Sequence, residues 1–408
     1  MTIVLRRQAQ ICLYILLLFP ILCENIVSTA FGSMVSTLFS VASCCLMLLV
    51  VLVHRVRCTA FIVIVALLMM LRVYIYFFLR SPAVTVTVAN NMISPIGLTG
   101  YMMLFLFIGS HLRDRAHATI LFRSMMAVMT IGVLVNFFIT GNLRIADNIS
   151  TLLQAVRTGY TNDRVWLFGH RNMIGIHHFM WIAFSYISRI LEHRSYSRLF
   201  TVQTAFTMLV AIVSWNSTMM LTTALFFVFA IFRNTLFAKI GISHYILVYL
   251  CLEIGIVFLR VQDIFAFIIV DVFHRNLSFT GRTQIWDYYI GQFMSGDLMH
   301  KAFGNFGFTL LTVNSHNMFL GLLAFTGILG LMLYLAIVFF AAYRLHVTRT
   351  SDVARFLSIC VFIFLVNSLT MEFYLQPLVA LYLGYHAPEL TKLVASTQRK
   401  GSIYVRAS

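Results

Sequence analysis

An all-α integral membrane protein of about twelve transmembrane helices is the fold class that this sequence predicts. Of its 408 residues, 61% are hydrophobic and 10% are charged, so the chain has too few charges to cover the surface of a water-soluble protein of this size. Apolar stretches of roughly 20 residues, the length that crosses a bilayer as a helix, recur along nearly the whole sequence. We therefore expect one polytopic membrane domain over residues 1–408.

The apolar stretches define the predicted spans in chain order. They cover residues 9–28, 33–53, 59–79, 92–112, 119–139, 173–191, 199–215, 217–233, 242–260, 315–341, 355–371 and 375–390. Arg6 and Arg7 ahead of the first span are typical of a signal peptide, but no small-residue cleavage site follows. We expect this first span to be an uncleaved anchor.

The distribution of Lys and Arg predicts the orientation. With the N-terminus placed in the cytoplasm, nineteen of the 29 Lys and Arg fall on the inner side and nine on the outer side. This excess satisfies the positive-inside rule and predicts that both termini are cytoplasmic. The formal charge of +16 is therefore explained by membrane orientation, and no nucleic-acid partner is expected.

The outer basic residues are unexpected, because the positive-inside rule explains only the inner ones. All but Arg80 lie in or beside two long polar segments, residues 140–172 and 261–314. Segments of this length in a compact domain are usually functional or disordered. We predict two long outer loops that contain short helices, the first lying along the membrane surface as a lid or platform.

An ordered set of short motifs occupies the second loop and the span after it. The sequence runs through Thr280-Gly281-Arg282-Thr283 and Trp286, then Gly304-Asn305-Phe306-Gly307, then His316-Asn317, then Gly327 and Gly330. This order resembles the bacterial polysaccharide polymerase and O-antigen ligase superfamily. The motifs cover about the last 130 residues, and the rest of the chain matches by topology alone.

The resemblance implies a membrane enzyme that transfers a glycan from an undecaprenyl-pyrophosphate donor without a metal or other cofactor. The ligase branch typically has an Arg just before the eighth span, where this chain has Ser214-Trp215-Asn216-Ser217-Thr218. The chain is thus more similar to the Wzy-like polymerases than to the WaaL-like ligases. The resemblance also implies membrane lipids, a flippase and a chain-length regulator as partners.

Three residues fit the chemistry of this transfer. A departing pyrophosphate gains negative charge, and without a metal the enzyme must supply fixed cations to it. Arginine binds phosphate oxygens bidentately, so Arg282 is the first candidate and Arg171, from the other loop, the second. An imidazole can accept or orient the proton of the acceptor hydroxyl, and His316 fits that role.

Other candidates each have a structural alternative. Trp286, one helical turn from Arg282, can stack on a sugar ring or simply pack at the interface. Arg72 lies inside the third predicted span, where a charge needs a partner or a cavity. The remaining candidate substrate-binding residues are Arg164, whose spacing from Gly175 resembles a pattern of some polymerases, and Asn172 and Asn317, beside Arg171 and His316.

Two further groups of polar residues remain open. His177 and His178 follow Asn172 inside the sixth predicted span and can be core residues or ligands. Four carboxylates of the second loop can form a glycosidase-like pair or a solvated surface: Asp263, Asp271, Asp287 and Asp297. Gly327 and Gly330 are expected to allow close helix packing.

The sequence thus predicts a polymerase of lipid-linked oligosaccharide repeats, acting at the outer face of a bacterial cytoplasmic membrane. Two alternatives stay open. An O-antigen ligase would attach finished glycan to lipid A core or another acceptor. A transporter or flippase of a lipid-linked anionic substrate would instead place its binding site near the membrane midplane.

Overall fold

A computed structural model describes residues 2–54, 59–71, 95–138, 167–168, 171–214, 216–261, 264, 282–304, 315–369 and 376–406. Of these residues 87% are helical and none lies in a strand, which confirms the all-α prediction for this part of the chain.

The described residues form sixteen α-helices. In chain order they are α1 (Thr2–Leu22), α2 (Glu24–Phe31), α3 (Ser33–Val53), α4 (Ala60–Met69), α5 (Pro95–His111), α6 (Arg115–Phe138), α7 (Arg171–Leu191), α8 (Ser197–Val213), α9 (Ser217–Phe232), α10 (Ile242–Leu252), α11 (Arg282–Ser295), α12 (Leu298–Phe303), α13 (Met318–Val347), α14 (Asp352–Ser368), α15 (Gln376–Tyr385) and α16 (Ala387–Arg406). A π-helical turn, Glu253–Phe258, continues α10.

Every predicted span overlaps a helix of this structure. Among the described residues, Ser33–Val53, Arg115–Phe138 and Met318–Val347 are long and apolar enough to cross a membrane, and a fourth span results if α1 and α2 count as one. Several apolar helices are shorter, including Ser197–Val213 and Ser217–Phe232. The chain is a multi-pass membrane protein by these helices, and the count of twelve stays a prediction.

Helix burial separates a central layer from a lipid-facing one. Almost every residue of α14 is buried, from Val353 to Ser368. By contrast α3 exposes large apolar side chains such as Leu38, Leu49 and Leu52, at 59%, 59% and 62%. Such a surface is unfavourable in water and favourable in hydrocarbon. The exposed side chains of α3 therefore support the membrane assignment independently of span length.

Two predicted spans are broken rather than straight. The first bends by 84° between α1 and α2. Pro20, which has no N–H for the helical hydrogen-bond ladder, lies just before this bend. The helix α13 changes direction at Gly327, which has φ 63° and ψ −165°. Hydropathy averages over such positions, so the sequence patterns predicted the spans without the bends.

The helix ends define two poles of the bundle. The carboxylate of Asp352, at the start of α14, pairs with Arg233 Nε at 2.8 Å. The carbonyl of Leu369, just after the end of α14, accepts from Asn317 Nδ2 at 3.2 Å. A helix of 17 residues is roughly 25 Å long, so these contacts lie on opposite sides of the bundle. We call them the basic end, at Asp352, and the site end, at Leu369.

Candidate functional site

The helix α11 begins at Arg282, the first residue of the site that sequence analysis selected. This helix lies within the segment predicted as the second long loop. Arg282 is half-buried and Trp286 is buried, on the same side of the helix one turn later. The helix N-terminus presents backbone N–H groups that favour anions, and Arg282 adds a full positive charge there.

Trp286 connects α11 to the turn that carries His316. Its indole Nε1 donates a hydrogen bond to the carbonyl of Ser315 at 3.0 Å. Its ring is 1% exposed and packs with Val257, Tyr289 and Leu320. The ring packs inside the protein and its Nε1 has a hydrogen-bond acceptor there, so the geometry favours the packing alternative. Contact of Trp286 with a sugar stays a prediction.

Arg260 is a second cation at this position. Its guanidinium lies 5.4 Å from the centre of the Trp286 ring, and it donates to the carbonyl of Thr283 at 3.0 Å. It also forms an ion pair with Asp287. Arg260 has φ 53°, a conformation that is uncommon for a residue other than glycine. The prediction counted Arg260 among the outer basic residues but gave it no role in the site.

His316 occupies the turn that leads into α13. It is half-buried and has φ 49°. Left-handed backbone at a non-glycine residue is held by its surroundings and occurs often at functional sites. Ser315 on one side is fully buried, and its Oγ donates to the carbonyl of Asn317 at 2.8 Å. The turn thus fixes the imidazole between two buried, hydrogen-bonded neighbours.

Asn317 holds this turn to three other parts of the structure. Its Oδ1 accepts from Leu320 N at 2.8 Å and caps α13. Its Nδ2 donates to Glu253 Oε1 at 2.8 Å and to the carbonyl of Leu369 at 3.2 Å. These hydrogen bonds give Asn317 a clear structural role, and its predicted contact with substrate stays untested.

Glu253 is a second residue that sequence analysis did not select for the site. It is 1% exposed and opens the π-helical turn after α10. Tyr249, one turn earlier, contacts Ser368 Oγ at 3.4 Å beside it. A single Glu inside an apolar run of membrane-spanning length is a functional candidate in its own right, since such groups are rare and need partners. That signal was present in residues 242–260.

The glycine motifs lie against each other. A Cβ added to Gly304 would stand 2.5 Å from the backbone of Phe325 and Thr326, and one added to Gly327 would stand 2.4 Å from Ala302 O. The short helix α12 therefore meets the bend of α13 backbone to backbone, which confirms the close packing predicted for Gly327. A Cβ on Gly330 would instead meet Thr326 of the same helix.

The candidates from the first loop are only partly within the described residues. Arg171 and Asn172 are the first two residues of α7. This helix reaches the basic end through Tyr186, whose hydroxyl donates to Asp352 Oδ2 at 3.2 Å, so α7 begins at the site end. Arg164 and Arg72 lie outside the described residues, as does the predicted surface helix of the first loop.

The two histidines and the carboxylates whose roles the sequence left open have observed partners wherever the structure describes them. His177 Nδ1 hydrogen-bonds the carbonyl of Met173 at 2.9 Å, and His178 Nδ1 bonds Thr207 Oγ1 at 3.0 Å, which fits buried core residues. Asp287 pairs with Arg260, and Asp297 caps α12 by accepting from His300 N at 2.7 Å. Asp263 and Asp271 lie outside the described residues.

At the site end, the hydrogen bond from Trp286 to Ser315 therefore joins the helix that begins at Arg282 to the turn that carries His316, and Arg260 lies against the Trp286 ring. Within the part of the chain that the structure describes, no three His, Cys, Asp or Glu side chains are grouped to hold a metal ion. No protein-family model and no curated protein matches this sequence. The functional assignment therefore depends on the chemistry of the side chains at the site end.

Proposed function

We propose that this chain is a metal-independent glycosyltransferase that polymerises lipid-linked oligosaccharide repeats in a bacterial cytoplasmic membrane. In this proposal the site end faces outward and the basic end faces the cytoplasm, with both chain termini. The donor and the acceptor are both undecaprenyl-pyrophosphate-linked. The resemblance of the Arg282 to Gly330 motifs to polysaccharide polymerases supplies the substrate class.

One observation carries the proposal. The hydrogen bond from Trp286 Nε1 to Ser315 O joins the helix that begins at Arg282 to the turn that contains His316. Arg282 and His316 are separated by more than thirty positions in sequence, and each was selected for a different part of one reaction. An arginine for a leaving phosphate and a histidine for an acceptor hydroxyl therefore belong to one locally connected structure.

The proposed reaction is a single displacement. The hydroxyl oxygen of the acceptor sugar bonds to the anomeric carbon of the donor glycan as the bond from that carbon to the pyrophosphate oxygen breaks. His316 takes the hydroxyl proton, and the undecaprenyl pyrophosphate leaves with the electron pair. Arg282, and Arg171 at the start of α7, stabilise the negative charge on that leaving group. Asn317 and Trp286 hold His316 in place.

Transfer by the purified full-length protein in detergent tests this directly. Removing a preorganised charge donor or a general base typically slows catalysis by about 10²-fold or more. We expect Arg282→Ala and His316→Ala to leave single repeats in place of long chains on a gel. Gln284→Ala, an exposed residue of the same helix, is the matched control and should elongate normally. Normal elongation by both site variants would refute the assigned roles.

The same assay separates the alternatives. A ligase would attach preformed polymer to an added acceptor without lengthening it. A flippase would give no new covalent product in detergent, because it needs a sealed membrane with two compartments. Either result would replace the polymerase proposal.

The orientation has its own test. In a variant without the seven native cysteines, a Cys introduced at Gln284 should react with a membrane-impermeant maleimide added outside intact cells, and one at exposed Arg349 should not. Labelling only at residue 349 would put the candidate site in the cytoplasm, where the proposed reaction could not use outward-facing donors.

A further inference from the structure

A cavity at the basic end gathers four arginines from three separate segments of the chain. Its volume is about 540 Å³, and its charged lining residues are Arg7, Asp114, Arg115, Arg123, Glu192 and Arg194. Arg7 comes from α1, Arg115 and Arg123 come from α6, and Arg194 follows the end of α7. Four positive charges against two negative ones leave the cavity with a surplus of positive charge.

Ion pairs within the protein position two of the arginines. Glu192 Oε1 pairs with Arg123 Nε at 2.9 Å and Glu192 Oε2 with Arg194 Nε at 3.4 Å. The Glu192 side chain is 11% exposed, so it is an internal anchor for both cations. Each guanidinium carries five N–H donors in a planar fork, and the pairs with Glu192 occupy one nitrogen of each.

The second acidic residue, Asp114, has a partner within its own turn. Asp114 Oδ2 contacts His117 Nδ1 at 2.9 Å and His117 N at 3.3 Å, within its own turn. Arg115 Nε donates to the carbonyl of Leu191 at 2.8 Å, at the end of α7. Arg115, Arg123 and Arg194 are thus held by the end of α7 and by Glu192, and with Arg7 they line a space that suits an anion with several oxygen acceptors. Phosphate is the anion that guanidinium groups bind best in this way.

An apolar stripe continues from the cavity along α6. Ile131, Leu134 and Phe138 are 43%, 40% and 49% exposed. They recur at helical spacing on the outward side of the helix, and Leu134 lies in line with Arg123, which precedes it by three turns. A phosphate held by Arg123 would place any chains attached to it against this stripe. The combination of a basic cavity and an apolar stripe is amphipathic, like a phospholipid.

We infer that this basic cavity is a binding site for an anionic phospholipid, with the headgroup phosphate among Arg7, Arg115, Arg123 and Arg194 and the acyl chains along Ile131, Leu134 and Phe138. The cavity lies at the opposite end of the bundle from Arg282 and His316, so the inference is independent of the proposed enzymatic reaction. The bound lipid connects α1, α6 and α7 and stabilises their packing at this end.

Native mass spectrometry of the delipidated full-length protein, titrated with phosphatidylglycerol, tests the site. We expect saturable binding of phosphatidylglycerol and none of phosphatidylcholine at the same concentrations. Losing one arginine near an anionic lipid is worth roughly a fivefold change in affinity. Arg7→Gln and Arg123→Gln should each weaken phosphatidylglycerol binding by about that factor.

Two controls keep the result interpretable. Arg7 is exposed, so Arg7→Gln alters the cavity charge with little effect on packing, even if Arg123→Gln disturbs the pair with Glu192. Arg349→Gln, at the same end but outside the cavity, should bind phosphatidylglycerol like the wild type. Unchanged binding by Arg7→Gln and Arg123→Gln would overturn the inference. Binding of inorganic phosphate to the cavity without binding of phosphatidylglycerol would also overturn it, because it would show a phosphate site that does not recognise lipid.

Discussion

At the scale of single residues, the indole N–H of Trp286 is the contact that most directly links structure to the proposed reaction. Trp286→Phe keeps most of the packing with Leu320 and Val257 but leaves the carbonyl of Ser315 without this donor. We expect a loss of about 1–3 kcal/mol in unfolding free energy, the usual effect of removing one partner of a buried hydrogen bond. Because the turn also carries His316, we expect glycan transfer to fall as well.

Trp181 offers a matched control for this substitution. Its Nε1 donates to Thr130 Oγ1 at 2.8 Å, in the contact between α6 and α7 rather than at the site. Trp181→Phe should destabilise the protein by a similar amount while the folded fraction retains its transfer rate. Equal loss of transfer in both variants, measured per folded molecule in detergent, would show that Trp286 contributes only to stability.

The hydrogen bond between Asn317 and Glu253 gives a second prediction at the residue scale. Asn317→Ala removes the cap of α13, worth about 1 kcal/mol, and leaves a buried carboxyl and a buried carbonyl without this donor. In a Glu253→Gln background the group left behind is an amide, which is less costly to bury than a carboxylate. We therefore expect the penalty of Asn317→Ala to be smaller there by about 1 kcal/mol.

A double-mutant cycle measures this coupling. Unfolding free energies of the wild type, both single variants and the double variant, obtained by titration from mild to denaturing detergent, supply its four corners. Additive effects would mean that the 2.8 Å contact between Asn317 Nδ2 and Glu253 Oε1 contributes nothing specific.

At the scale of secondary-structure elements, the backbone contact between α12 and α13 decides how the second loop segment is anchored. Gly327→Ala would force a side chain into a residue with φ 63° and within 2.4 Å of Ala302 O. Strain and overpacking each typically cost 1–3 kcal/mol, so we expect a loss of about 3 kcal/mol. Limited proteolysis in the 282–304 region should accelerate in this variant, because α12 loses its contact with the bend.

Gly291 supplies the comparison. It lies within α11, and a Cβ added there would meet nothing within 4 Å. Gly291→Ala should leave stability unchanged or raise it by about 0.5–1 kcal/mol, since alanine loses less entropy in a helix. If Gly327→Ala behaved like Gly291→Ala, the close approach of α12 and α13 would not exist in the folded protein.

At the scale of the whole molecule, hydropathy predicted where helices occur but not how their polar groups meet. Runs of about 20 apolar residues must form helices in a membrane, because the backbone finds no other hydrogen-bond partner there. The bend before Glu24 and the turn at Gly327 depend on single residues, which an average over a span conceals. These two breaks interrupt spans that the hydropathy pattern showed as continuous.

The candidate site, too, was predicted from the sequence only in part. Arg282, Trp286, His316 and Asn317 were selected from their motifs, and the contact between Trp286 and Ser315 is observed. Glu253 and Arg260 were not selected, because each lies far from those motifs in sequence and reaches them only through tertiary packing. The motifs also included two residues with observed structural contacts, Trp286 and Asn317.

The ion pair and hydrogen bonds of Asp352 at the basic end predict how the stability of the whole molecule changes at acid pH. Burial opposes ionisation of Asp352, but hydrogen bonds and charge from Arg233 outweigh it, so the pKa of this carboxyl lies below its ordinary value. A group with a lowered pKa in the folded state stabilises the protein above its unfolded pKa, and this contribution disappears as pH falls through the folded pKa. The contact joins α9 to α14, and Tyr186 of α7 donates to the same carboxylate.

We therefore expect the melting temperature in detergent to fall as pH drops below roughly 4, and Asp352→Asn to remove part of that fall. The Asp352 side chain is 47% exposed, so solvent screening should keep its share under about 1 kcal/mol. Asp297→Asn, which retains the cap of α12, is the control and should keep the acid dependence of the wild type. An unaltered acid profile in Asp352→Asn would show that the contact between α9 and α14 does not depend on this ion pair, and that acid acts on the bundle elsewhere.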